Sequence, residues 1–188
     1  MPARPLGADP MLDSRAVALD RGPTDPKWFR QVLGQYPTGV CVITARPDDV
    51  TPAGMAVGSF TSVSLDPPLV AFFPDRSSTS WPKIRAAGRF CASILSADQE
   101  HICRRFASRA ENKFEGLDHR SSNGGPPIIS GVVAWMDCEL YSVQEAGDHF
   151  IVLGLVGELQ IESASLPLLF FQRGYERFAP SSLAAPTP

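Results

Sequence analysis

Between Val132 and Ile161 the chain reads as two long β-strands. The second begins Phe150-Ile-Val-Leu-Gly-Leu-Val-Gly157 and is apolar on both faces. Side chains alternate across a strand, so such a run must be covered on two sides. One cover is a protein interior; the other is a helix or a second subunit. A barrel wall gives a strand both. The first strand, about Val132 to Gln144, sets Ala134, Met136, Cys138 and Leu140 on one face. Glu145-Ala146-Gly147-Asp148 turns the two into a hairpin.

Upstream lie further β-type runs, Gly39 to Ala45, Phe60 to Leu65, Leu69 to Phe73 and Phe90 to Leu95, separated by Pro, Gly and Asp turns. Asp66-Pro67-Pro68 is a firm strand break. Three helices are expected. Thr24 and Asp25 cap the first, with Pro26 in its opening turn and Trp28, Phe29, Val32, Leu33 and Tyr36 at helical spacing. The others are Ser77 to Ala87, ended by Gly88, and Ala97 to Ser108, with Ile102, Cys103 and Phe106 as its apolar stripe. Ser121 to Pro127 is a loop. Residues 1–23 carry Pro2, Pro5, Pro10 and Pro23 without apolar period and read as a flexible extension, and 180–188 as a flexible tail, leaving an ordered domain over 24–179. The fold class is mainly β with peripheral helices, and closing such a sheet removes its exposed edges. No strand is followed by Gly-x-Gly-x-x-Gly and a helix, which argues against a Rossmann domain.

A net charge of -3 gives no basic surface for nucleic acid. No apolar run reaches the roughly 20 residues of a membrane span, and the N-terminus lacks the basic start and apolar stretch of a signal peptide, so a cytoplasmic location is expected. Cys41, Cys91, Cys103 and Cys138 sit among apolar residues with no C-x-x-C pair, as buried thiols do. With three histidines, at 101, 119 and 149, and no metal-ligand spacing, no metal site is expected. Nor is there a nucleophile elbow, a zinc-protease helix or a phosphate loop of the Walker kind. A chain with so few reactive side chains suits an enzyme whose hard chemistry resides in an organic cofactor.

Two segments fit such a cofactor. In the first, Pro52 to Ser64, the small residues Ala53, Gly54, Ala56 and Gly58 allow a flat ring close to the backbone, and exposed amides with the Ser59 hydroxyl meet its polar edge. The second, Asp75-Arg-Ser-Ser-Thr-Ser80 before a helix, offers hydroxyls, free N–H groups and the charge of Arg76 to a phosphate. Each has a plainer reading: a tight strand for the first, an ordinary helix cap for the second. Arg105 and Lys113 read equally well as exposed helix charges.

Taken together and in order, six stretches resemble the flavin reductase-like family, the reductase components of two-component flavin monooxygenases. They are FRQVLGQYPTGVCVITA, PAGMAVGSFTSVSLDPPLVAFF, SSTSWPKIRAAGRFCASIL, RRFAS with NKFEG, AWMDCELYSVQEAGDHFIVLGLV, and PLLFFQRGY, spanning nearly all of 27–178. The resemblance implies a split β-barrel of the FMN-binding type, antiparallel and Greek-key-like, that forms a homodimer with FMN or FAD near the subunit interface. It implies NADH or NADPH as hydride donor and a separate monooxygenase that receives the reduced flavin. Pro52, Ala53, Gly54, Met55, Ala56, Gly58 and Ser59 would line the isoalloxazine. Phe73, Pro74 and Asp75 would lie along the flavin, Thr79 and Ser80 near its phosphate, and Arg105 and Phe106 on the phosphate or adenine side. His149 would position the nicotinamide, with Phe171, Gln172, Arg173, Gly174 and Tyr175 beside it.

The chain departs from the family pattern at Ala56, where many relatives have Thr, and at Gly58, where many have Asn or another polar residue. At a net ~1 kcal/mol per lost hydrogen bond, flavin binding weakens about fivefold to tenfold for each. Ala at this position resembles reductases that serve aromatic or steroid-ring hydroxylases. Two other readings stay open on the same barrel: a flavin-binding electron carrier, and a flavoenzyme acting on its own organic substrate.

Overall fold

Two strands that follow one another in the chain form the opposite edges of the main sheet. In the computed structural model, which describes residues 24–47, 51–121 and 125–179, seven strands pair in the order β3-β2-β6-β9-β10-β5-β4. These are β2 (Cys41–Ala45), β3 (Ala53–Val57), β4 (Thr61–Leu65), β5 (Pro68–Phe72), β6 (Arg89–Ile94), β9 (Ala134–Ala146) and β10 (His149–Ile161). Every pairing is antiparallel. Only residues 58–60 separate the edge strand β3 from the edge strand β4. A link that short reaches roughly 13 Å, so the sheet curls until its edges adjoin without pairing. The result is a barrel split between β3 and β4. A three-stranded sheet, β1 (Thr38–Gly39), β11 (Leu168–Phe171) and β12 (Gly174–Arg177), and a short pair, β7 (His119–Ser121) and β8 (Pro127–Ile129), accompany it.

The period of two explains why Gly39 to Ala45 is apolar apart from Thr44, whose buried hydroxyl donates to the Pro127 carbonyl. In β2, Cys41, Ile43 and Ala45 enter one buried cluster with Phe72, Trp81, Phe90 and Val152. Val42 faces the other way, into a second cluster with Ile102, Cys103, Phe106, Ile129 and Trp135. The strand is thus covered on both sides. Helix α2 (Trp81–Ala87) contributes Trp81 and Ile84 to the first cluster, and α3 (Glu100–Ala107) contributes Ile102, Cys103 and Phe106 to the second.

Strand β10 differs from its expectation. Val152 and Gly154 are buried, but Ile151 is exposed and Leu153 and Leu155 are only half-buried, so one of its two apolar faces is open in the single chain. Both later helices start later than their apolar pattern suggests. Trp81 opens α2 because Pro82 fits only the first turn, and residues 77–80 form the turn before it. At the other helix, Gln99 closes a turn with Ser96, its amide donating to the Ser96 carbonyl and its side chain accepting from the Ser96 amide, so α3 begins at Glu100. Gly88 ends α2 at φ +66°.

The chain divides into two units at Tyr36/Pro37, within the single 24–179 domain expected above. The first contains α1 (Pro26–Leu33), capped by Asp25 Oδ1, which accepts from the amides of Lys27 at 2.9 Å and Trp28 at 3.4 Å. It has no buried residue; Phe29, Val32 and Leu33 on its apolar stripe are exposed. The expected extension 1–23 and tail 180–188 lie outside the described residues. No helix among the described residues is long and apolar enough to cross a membrane.

Candidate flavin site

A wide cleft opens where the split edge β3 approaches the β9–β10 turn. About 640 Å³ in volume, it is bounded by Met55 to Ser59 on one side, Phe73 and Asp75 on another, and Ala146 and His149 to Ile151 opposite. That size lies within the range of pockets for drug-sized ligands. The edge position matters: β3 pairs with β2 on one side only, so its other side is left for a ligand. Phe73 is 39% exposed at the mouth. Ser59 Oγ accepts from the Phe73 amide at 2.9 Å, which ties the 58–60 link to the end of β5 and leaves the hydroxyl proton free to donate.

His149 enters the cleft from the start of β10. Its Nδ1 lies 2.7 Å from Asp148 Oδ1, so Nε2 is the nitrogen left to meet a ligand. Residue 149 bridges to Asp75 across the strands, and the Phe150 amide donates to the Pro74 carbonyl at 3.0 Å. The hydroxyl and amide of Ser77 hold the Asp75 carboxyl below its usual value, with a smaller contribution from His149, so this wall of the cleft is anionic.

Past Met55, Ala56 and Asp75 the cleft continues into a groove of about 220 Å³ along Ser77 to Ser80, Phe106 to Arg109 and Lys113. Beyond that lies a further recess of about 310 Å³ along Thr51 to Gly54, Lys83 and Glu111. Lys113 is the residue that sequence reasoning left undecided. It is 8% exposed, and its Nζ donates to the carbonyls of Phe106 at 2.9 Å and Gly54 at 3.2 Å and to Ser80 Oγ at 3.3 Å. Among the described residues it has no carboxylate within ion-pair reach. Burial, and then the like charge of Lys83, pushes its ammonium below the usual 10.5. Lys83 and Arg109 share the recess, so three cations converge beside the Ser/Thr hydroxyls. Lys113 is buried and unpaired by a carboxylate while Lys83 and Arg109 stay exposed, and with Glu111 as the one acidic group in the recess lining the balance favours an anion such as phosphate.

The residues expected from the sequence fall into three groups. Met55, Ala56, Gly58, Ser59, Phe73, Asp75 and His149 line the cleft, and Thr79, Ser80 and Phe106 line its extension, which Pro52, Ala53 and Gly54 flank. Pro74 is buried beneath it. The remaining residues lie elsewhere. Arg105 turns out of the groove to donate to the Glu115 carbonyl at 2.7 Å, fixing the loop that carries Lys113. Arg76, expected at the phosphate, points away and pairs with Glu145 at 3.1 Å. Phe171 to Gly174 form the β11–β12 turn, away from the cleft lining, with Gln172 and Arg173 at positive φ. Tyr175 packs behind β3, its hydroxyl 3.2 Å from Cys103 Sγ and its ring 4.8 Å from the Arg104 guanidinium. Phe106 fills the space beside Gly54, so the packing itself requires glycine there: a Cβ would stand 2.4 Å from Phe106 Cε1.

A ring-sized cleft at a sheet edge, running into a cationic, hydroxyl-lined groove, fits a flavin and its phosphate. Comparison with known proteins points the same way. The family model described as flavin reductase like domain matches residues 33–179. A flavin reductase of Pseudomonas putida is 63% identical over 87% of this chain and 96% of its own. The reductase subunit HsaB of a flavin-dependent monooxygenase of Mycobacterium tuberculosis is 47% identical over 83% of this chain and 84% of its own. The structure of the Streptomyces globisporus NADH:FAD oxidoreductase SgcE6, in complex with NAD and FAD fragments, superposes with a TM-score of 0.80 at 36% identity over 86% of this chain and 97% of that one. With a split barrel, a flavin-shaped cleft and a family match over most of its length, this chain belongs to the flavin reductase-like family.

Proposed function

We infer that the chain carries hydride from NAD(P)H to FMN or FAD in the cleft beside β3 and supplies the reduced flavin to a separate monooxygenase. It is an NAD(P)H:flavin oxidoreductase, and its named relatives are reductases and reductase subunits. The continuous passage from the ring-sized cleft to Lys113 carries this reading, because it matches a flat ring with a phosphorylated tail. The bound flavin supplies the hydride acceptor; no protein nucleophile is needed. What the chain contributes is position. Met55, Ala56 and Phe73 would flank the ring, Ser59 would meet its polar edge, and Lys113, Ser80 and Thr79 would hold the phosphate. His149, steadied by Asp148, orients the nicotinamide against the ring, where reacting atoms must approach to roughly 3–3.5 Å.

An open mouth favours exchange over a resident cofactor. Gly58, Phe73 and Asp75 are exposed, so reduced flavin has a way out. The uncovered face of β10, with Ile151, Leu153 and Leu155, supports a homodimer; light scattering of the purified protein tests it, and Leu155→Glu should give monomer. The four cysteines are free and buried, which suits a reducing cytoplasm. The activity is tested by crossing FMN, FAD and riboflavin with NADH and NADPH. Oxidation of either nicotinamide that depends on added flavin is expected; flavin-independent or absent turnover would overturn the reading.

A further inference from the structure

Behind the main cleft lies a second concavity of about 450 Å³, lined by Arg76, Trp81, Pro82, Arg85, Ala86 and Phe150. Phe150 belongs to both cavities. Residues 75 and 76 form the ridge between them, Asp75 facing the flavin side and Arg76 the other. Two backbone hydrogen bonds pin that ridge to the β10 start: the Arg76 amide to the Asp148 carbonyl at 2.9 Å, and the Phe150 amide to the Pro74 carbonyl at 3.0 Å.

The lining has a distinct chemistry. It carries two guanidiniums and two aromatic rings and no carboxylate. Arg76 Cζ lies 5.7 Å from the centre of the Phe150 ring, and the Phe150 and Trp81 rings are 5.8 Å apart at 39°. Trp81 is buried against Phe72, which fixes the floor, while Phe150 and both arginines stay accessible. Besides the Phe150 ring, the Arg76 guanidinium is engaged by Glu145, and that ion pair is exposed on both sides, so an incoming phosphate displaces it readily. Guanidiniums bind phosphate through paired N–H donors and stack on flat π systems.

We propose that this pocket receives the adenosine-phosphate half of a dinucleotide whose redox-active ring lies in the main cleft. The inference rests on the flavin reductase reading and adds to it a specificity site outside the flavin groove. Both FAD and NAD(P)H carry that half, and Arg76 and Arg85 recognise its phosphate in either.

The test pairs the wild type with an Arg76→Ala/Arg85→Ala variant. Both arginines are exposed, so the fold stays intact, checked by thermal unfolding. Calorimetry with 5′-AMP reads the pocket directly: wild type binds, and the variant loses about tenfold or more in affinity. Steady-state kinetics then compare NADH with reduced nicotinamide mononucleotide, and fluorescence titration compares FAD with FMN. If NADH is the occupant, the ratio of the two nicotinamide KM values rises in the variant; if FAD is, the ratio of the two flavin affinities falls. The proposal is overturned if wild type does not bind AMP, if the variant binds it equally well, or if AMP affinity drops while both ratios hold. Failure of the parent reading looks different: wild type would show no flavin-dependent oxidation of either nicotinamide, whatever AMP does.

Discussion

The Phe106 ring occupies the space that a side chain at Gly54 would take, with Cε1 2.4 Å and Cδ1 2.7 Å from an ideal Cβ. The contact joins α3 to the edge strand that borders the flavin groove, and Phe106 is itself fully buried. Gly54→Ala therefore forces either the ring or the strand to move. Overpacking of this kind costs about 1–3 kcal/mol, which chemical denaturation will read as a lower midpoint at constant slope. Adding Phe106→Leu should recover part of the loss, whereas Phe106→Leu alone should destabilise. If the two effects simply add, the contact is not what limits residue 54.

Lys113→Met removes the buried ammonium while keeping most of the unbranched side chain. Its three protons already serve the Phe106 and Gly54 carbonyls and Ser80 Oγ, so the ammonium acts on a phosphate through its charge, and FMN affinity should fall roughly 10- to 100-fold while riboflavin, without phosphate, changes less. Fluorescence titration of the two flavins separates the phosphate contribution from any general damage to the cleft. Equal losses for both would show that Lys113 only supports the groove.

The same lysine gives a pH dependence whose sign is fixed. Its pKa in the free protein lies below 10.5, and an anion gains from it only while it is protonated. FMN affinity should therefore decline as pH rises through that lowered value, sooner than an ordinary lysine would allow, and riboflavin affinity should stay level. Titrating both flavins from about pH 7 to about pH 10 checks this. The slope should vanish in Lys113→Met.

The barrel was legible because its signals were local: alternating apolar residues, a tight turn at Gly147-Asp148, and a strand break at Asp66-Pro67, whose peptide is cis. The cleft-lining residues on β3 and after β5 were legible too, since small residues and a hydroxyl run stand out in sequence. Lys113 was not. Nothing near it in the chain distinguishes it from a surface lysine, and its burial comes from Gly54 and Ser80, 59 and 33 residues away. Arg105 lies outside the groove lining for the converse reason. Its helix does border the groove, but the side chain's partner, the Glu115 carbonyl, draws it outward. The orientation of Arg76 likewise depends on Glu145 in a strand 69 residues further on. Distant partners decide which of several cations face the ligand, and periodicity carries no such information.

His149 and Asp148 provide a graded test of the nicotinamide side. The pair is close, at 2.7 Å, but both side chains meet solvent, so the interaction is weak. Asp148→Ala should lower kcat/KM for the nicotinamide only about twofold to fivefold, by letting the ring turn. His149→Ala should cost more, about tenfold, because the group that meets the ligand is lost. A double variant that loses clearly more than His149→Ala alone would mean that Asp148 acts directly, not through His149.

Arg89 and Asp137 join the start of β6 to the first third of β9 through two hydrogen bonds, Nε to Oδ1 at 2.8 Å and Nη2 to Oδ2 at 2.6 Å. The burial is lopsided: the carboxylate side is 3% exposed and the guanidinium side 44%. Removing the arginine strands a buried charge, whereas removing the carboxylate leaves a cation that can reach water. Arg89→Met should therefore destabilise more than Asp137→Asn. A fully buried pair loses 3–5 kcal/mol when one partner goes; half exposure of the guanidinium brings the expected loss to about 2–3 kcal/mol for Arg89→Met and about 1 kcal/mol for Asp137→Asn. Urea denaturation of the two variants measures both. The reverse order would place the dominant cost in the hydrogen bonds of Arg89 rather than in the uncompensated buried carboxylate.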